Sequence, residues 1–143
     1  MSKLMKISEF TDDQIDKVIA LWKKCGLTRS WNNPEKDIAR KNSDKNSKFL
    51  IGQSDEALMV SSMIVYDGHR GSVNYLVVDP DLSGAGYRKI LIAEAEQLLL
   101  SVVCSKISFC FRTDNDNVVE FYRQLGYAVE PVHLLGKRLI KGD

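Results

Sequence analysis

The sequence predicts an α/β (α+β) chain with a mixed, mostly antiparallel central sheet and helices on both faces. Three observations carry this. Between Phe49 and Val78 the residue pattern is that of strands separated by short turns, the mark of an antiparallel meander. A strand, a long helix and a strand then follow in succession, which requires a parallel crossover. Two further helices precede the meander, so neither sheet face is left bare.

The elements follow in order. Lys3 to Phe10 alternates loosely and suits an edge strand. Thr11-Asp12-Asp13-Gln14 reads as a capping box. Ile15, Val18, Ile19, Trp22 and Cys25 then recur on one helix face, and Gly26 stops the helix. A second helix begins at Asn33-Pro34-Glu35, with Asn as cap and Pro in the first turn. Its only apolar residues are Ile38 and Ala39, so it lies mostly in solvent. Phe49–Gly52 and Ala57–Tyr66 are strands. Asp67-Gly68-His69-Arg70-Gly71 is a turn into a further strand, Ser72 to Val78. A long helix carries Ile90, Leu91, Ala95, Leu98, Leu99 and Val102 at helical spacing, and Lys106 to Arg112 is the strand after it. A short helix holds Val118, Phe121, Tyr122 and Leu125 and ends at Gly126. Tyr127 to Ile140, with Pro131 and Gly136, suits one or two more strands. The predicted order is β-α-α-β-β-β-α-β-α-β-β.

Composition sets limits. With 143 residues, 44% of them hydrophobic, the chain suits one domain spanning 1–143. Twenty basic and 19 acidic side chains leave a net charge of +1, so neither nucleic acid nor a membrane surface is expected to be gripped by bulk charge. Apolar runs are too short for a spanning helix, and the N-terminus lacks the apolar core of a secretion signal. Cys25, Cys104 and Cys110 form no CxxC pair, and two distant histidines add no metal-ligand spacing. A reduced, cytoplasmic protein without a metal is the expectation.

The chemistry concentrates in Tyr75 to Leu91. A strand ends at Asp79-Pro80, and Gly84 and Gly86 flank Ala85 just before a helix. Bare backbone and the amides of a helix start form a site for an anion such as a pyrophosphate. No GK[ST] follows, and Lys89 stands where a dinucleotide-binding loop has its third glycine. Two glycines in a strand-to-helix loop are common, and taken alone they read more readily as a plain turn.

Val78-Asp79-Pro80 with Ser83-Gly84-Ala85-Gly86-Tyr87-Arg88 resembles motif A of the GNAT superfamily of acyl-CoA-dependent N-acetyltransferases. Asn115 to Tyr127, which includes Phe121-Tyr122 and Gly126-Tyr127, resembles its motif B. The element order matches as well, so the resemblance covers almost the whole chain. Trp31-Asn32-Asn33-Pro34-Glu35 and Leu135-Gly136-Lys137-Arg138-Leu139 resemble a small bacterial subfamily of unassigned substrate. Two positions depart from the pattern: Ser83 replaces the usual Arg or Gln, and Arg88 the usual Gly or Ala.

The resemblance implies transfer of an acetyl group from acetyl-CoA to a primary amine of a small molecule or protein. The alternative is a GNAT-fold module that binds acyl-CoA or a partner without turnover. Pantetheine would meet the backbone of Leu76, Val77 and Val78. Pyrophosphate would meet Gly84, Ala85, Gly86, Tyr87 and Arg88, with Ser83 opening the loop. Asn115 would lie near the pantetheine arm, and Tyr122 near the thioester sulfur. A tyrosine hydroxyl can protonate a leaving thiolate, so Tyr122 is the candidate general acid; by local pattern alone it packs a helix face. Arg29, Trp31 and Tyr75 are candidates for the acceptor pocket, although Trp31 packed under the second helix and Arg29 in solvent fit the sequence as well. Asp67 and His69 are considered as a base, and neither is assigned. C-terminal strands are candidates for pairing two copies into a homodimer.

Overall fold

The computed structural model describes residues 5–27, 33–43, 47–55, 57–110 and 116–140. The chain divides into a larger unit, 1–109 with the last two residues, and a smaller one, 110–141.

In the larger unit β1 (Lys6–Glu9) leads through a 3₁₀ turn into α1 (Ile15–Lys24). Then come α2 (Pro34–Ser43), β2 (Ser47–Ser54), β3 (Ala57–Tyr66), β4 (Gly71–Val78), a second 3₁₀ turn (Pro80–Leu82), α3 (Tyr87–Ser101) and β5 (Ile107–Phe109). The sheet order is β1-β2-β3-β4-β5. The first four strands pair antiparallel, and β5 joins β4 in parallel across the α3 crossover. The predicted mixed sheet is therefore present.

Local chemistry explains the helix ends. The Gln14 side chain accepts from Thr11 N–H at 2.9 Å, and the Thr11 hydroxyl donates to Asp13. Asn33 Oδ1 accepts from Lys36 N–H at 3.1 Å and caps α2. At the end of α1, Leu27 N–H donates to Trp22 O with Gly26 at a φ of 74°. This left-handed closure satisfies carbonyls that the last turn leaves open.

Each sheet face has its own core. On one, α1 and α2 bury Val18, Trp22 and Ile38 against Phe49, Ile51, Met63 and Val77. Phe10, Phe49, Trp22 and Tyr75 stack in series there, with centroids 4.7, 6.1 and 4.6 Å apart. On the other, α3 packs Tyr87, Leu91, Ala95 and Leu99 on Leu50, Val60, Ile64 and Val73. Each fully buried aliphatic side chain stabilises the fold by about 1.5–3 kcal/mol.

The smaller unit holds α4 (Asp116–Gln124). Gly126, at a φ of 97°, closes it as expected, with Tyr127 N–H donating to Tyr122 O at 3.0 Å. The expected strands within Tyr127 to Ile140 do not form among the described residues. A strand exists only through its ladder, and here Val132 N–H turns back to Glu130 O around Pro131. No helix among the described residues is long and apolar enough to cross a membrane.

Candidate active site

The site begins with an irregularity in β4. Val73 faces the α3 core and Val77 the α1 core, although four residues apart they would share a face in a regular strand. The β3–β4 register shifts between Ser61↔Val77 and Met63↔Asn74, so Tyr75 and Leu76 together oppose Ser62. The inserted residue is a β-bulge, with Tyr75 at a φ of 53°. That backbone is costly for a tyrosine. Its neighbours hold it: the ring stacks on Trp22 at 8° between planes, and the hydroxyl donates to Asp37 Oδ2 at 3.0 Å.

Among the described residues, the parallel ladder of β4 with β5 runs from Gly71↔Ile107 to Val73↔Phe109, before the bulge. Asp79 N–H donates to Met59 O at 2.8 Å, so it points at β3. Backbone direction alternates along an antiparallel pair. Val77, opposite Ser61, therefore also faces β3, while Val78 turns its N–H and carbonyl away from β3. Of the expected backbone contacts, Val77 is committed to β3, the Val78 carbonyl accepts from the Cys25 thiol, and the Val78 N–H is turned away from β3.

The loop after β4 is tied down. Asp79 Oδ1 accepts from Asp81 N–H at 3.0 Å, and Lys24 of α1 bridges both carboxylates at 2.8 and 2.7 Å. These hydrogen bonds, first to Asp79 and then to Asp81, raise the Lys24 ammonium above the ordinary lysine value. Burial pushes the Asp79 carboxyl up. The Lys24 hydrogen bond, the Asp81 amide and the Lys24 charge outweigh it, leaving Asp79 below the usual carboxylate range. Lys24 thus offsets two negative charges beside a loop expected to receive an anion. Cys25 donates its thiol to Val78 O at 3.4 Å. Burial pushes that thiol up, Asp79 adds to the rise, and the charges of Arg88 and Lys24 oppose it.

The loop after the second 3₁₀ turn has two left-handed glycines. Gly84 and Gly86 have φ of 84° and 87°, and a Cβ at either would meet nothing within 4 Å, so the approach is open. The amides of Ser83 and Ala85 are used within the loop, reaching Pro80 O and Leu82 O at 3.3 Å. The first α3 bond runs from Ile90 N–H to Gly86 O, so the Arg88 and Lys89 amides lie ahead of it. No acidic residue occupies the first turn of α3 to cancel its dipole. Half-buried Arg88 brings a cation to this helix start, close enough for its charge to be felt at Cys25.

Arg29, Trp31 and Asn115 lie outside the described residues. Tyr122 is on α4 in the smaller unit, 3% exposed, with its ring edge-on to Phe121 and Tyr127 at 5.2 and 5.6 Å. Asp67 caps its own hairpin turn, accepting from the His69 and Arg70 amides. That turn is at the Gly71 end of β4, about 23 Å from Val78 at roughly 3.3 Å per residue, which removes Asp67 and His69 from the Val78 end. Sequence reasoning missed Trp22, Lys24, Cys25 and Asp37 as site neighbours. Trp22 and Cys25 carry only the signal of helix periodicity, which reports a core face, and the polar Lys24 and Asp37 carry none.

Comparison with known proteins agrees with this geometry. Residues 15–127 match the acetyltransferase (GNAT) family model. The chain is 43% identical over 138 residues to an acetyltransferase of Sodalis glossinidius, covering 96% of this chain and 97% of that one. It is 42% identical over 136 residues to an acetyltransferase of Yersinia pestis, covering 95% and 96%. Among solved structures it resembles AAC(6')-Iy in complex with a bisubstrate analogue, CoA-S-monomethyl-acetylneamine, with a TM-score of 0.80 and 16% identity over 95% of this chain and 99% of that one. With a family match over most of its length and full-length acetyltransferase relatives, the chain belongs to the GNAT family of acetyltransferases.

Proposed function

We propose that this protein moves an acetyl group from acetyl-CoA to a primary amine by direct attack, in the cytoplasm. The observation that carries the reading is the far end of β4. Among the described residues the ladder to β5 runs only to Val73, Val78 turns its N–H away from β3, and the strand runs on to Gly84, Gly86 and the start of α3. A long, thin ligand with a diphosphate at one end suits such a track. The three free thiols suit a reducing compartment.

Bound acetyl-CoA supplies a thioester that an amine attacks without a protein nucleophile. Leu76 and Val78 offer backbone groups to the pantetheine arm, joined by Asn115. Val78 N–H donates to the carbonyl oxygen as it gains charge, the interaction that most lowers such barriers. Gly84, Gly86, Tyr87 and Arg88 receive the diphosphate. Tyr122 gives its hydroxyl proton to the departing sulfur, a role supported by its place in the motif B resemblance and by the ability of a phenol to protonate a thiolate. Arg29, Trp31 and Tyr75 receive the acceptor.

The test is a pair of measurements. Calorimetry with CoA should give a dissociation constant below about 1 mM, corresponding to roughly −4 kcal/mol. Acetyl-CoA with a panel of amines should release free thiol only when an amine is present. No heat from CoA at millimolar levels would end this reading.

A further inference from the structure

Asp37 lies in the first turn of α2, where the helix dipole favours a carboxylate, and its side chain also reaches across to β4. It is half-buried, with Oδ2 accepting from the Tyr75 hydroxyl. No second partner and no cation meets its side chain among the described residues. The tyrosine that holds it is the left-handed residue of the β4 bulge, stacked on Trp22. Strained backbone of this kind gathers where a side chain must be aimed. Tyr75 precedes Val78 by three residues, about 10 Å along the strand. A carboxylate beside an aromatic stack is the chemistry that takes an ammonium group.

We infer that Asp37, aimed by Tyr75, anchors a second positive charge on the acceptor, so that the preferred substrates are amines carrying another cationic group several bonds away. The inference rests on the acetyltransferase reading, in which the reacting amine lies at the Val78 edge. Asp37 pairs with the remote cation, and the amine to be acetylated is left free to reach the thioester. Asp37 is thus a specificity residue, and Tyr75 a positioning residue acting through it.

The experiment is calorimetric binding of hexamethylenediamine and of aminohexanol, which match in length and differ by one charge. No acetyl-CoA is present. The wild-type protein is expected to bind the diamine at least about tenfold more tightly, as one charge-assisted contact allows. Asp37→Asn should abolish that preference and leave CoA binding unchanged. Tyr75→Phe should reduce it. A purely structural role would instead lower thermal stability without separating the two ligands. Equal affinity for the two, no binding of the diamine, or a preference surviving in Asp37→Asn overturns the inference. Failure of the transferase reading registers separately, as absence of amine-dependent thiol release from acetyl-CoA.

Discussion

At the scale of the residue, Tyr122 has the clearest chemical consequence. If its hydroxyl protonates the leaving sulfur, Tyr122→Phe lowers kcat by about 10–10³-fold with little change in CoA affinity. Steady-state kinetics with any working amine checks this, and an unchanged kcat removes the role. Trp22 is a structural counterpart. It is 1% exposed, and its Nε1 donates to Ser61 Oγ at 2.9 Å. Trp22→Phe would leave a buried hydroxyl without its donor and open space beside Phe49 and Tyr75. The expected loss is about 2–4 kcal/mol, measured by denaturant unfolding. Asp79 gives a pH signature. Its folded-state pKa is depressed, so its contribution is complete above the unfolded value of about 4 and disappears as the pH falls through the lower folded value. The difference in Tm between wild type and Asp79→Asn should therefore be present near neutrality and shrink toward zero in strong acid.

At the scale of the element, three helices end in the same left-handed closure. Gly26 and Gly126 serve α1 and α4, but α3 uses Val103, at a φ of 61°, with Cys104 N–H donating to Leu99 O. A β-branched residue is strained there, and at 87% exposure Val103 has little packing to lose. Val103→Gly is expected to stabilise by about 1 kcal/mol, a Tm gain of roughly 3 °C by differential scanning. At the opposite sign stands Gly71, where a Cβ would lie 2.6 Å from Leu99 Cδ1 and 3.2 Å from Cys104 Sγ. Gly71→Ala requires the Leu99 side chain to move and should cost about 1 kcal/mol, read from denaturant unfolding. Gly26 and Gly126 were legible as stops because glycine announces a left-handed turn. Val103 was not legible, since nothing local marks a valine for that conformation.

At the scale of the whole molecule, the sheet order and the two covered faces follow from features the sequence displays openly, namely period-2 runs, turn residues and one strand–helix–strand crossover. The glycine loop was legible for the same reason. The acceptor side was not: Asp37 meets Tyr75 across 38 positions, and Lys24 meets Asp81 across 57. Pairings at that separation leave no trace in local spacing. The C-terminal strands were misread because Val129, Val132 and Leu134 have the composition of a strand, whereas a ladder needs a neighbour as well. The β4 bulge was hidden more thoroughly still. Gly71, Val73 and Val77 are all odd-numbered and buried, so the strand reads as one uninterrupted alternation. In fact its two halves answer to different helices. A pairwise mutational survey would see this as a phase break: defects at Val73 would be rescued from α3, and defects at Val77 from α1. Removing one of Tyr75 and Leu76 would therefore leave Val77 opposite Ser61 and every downstream side chain on its present face, whereas straightening the strand with both retained would carry Val77 and Val78 to the wrong cores at once.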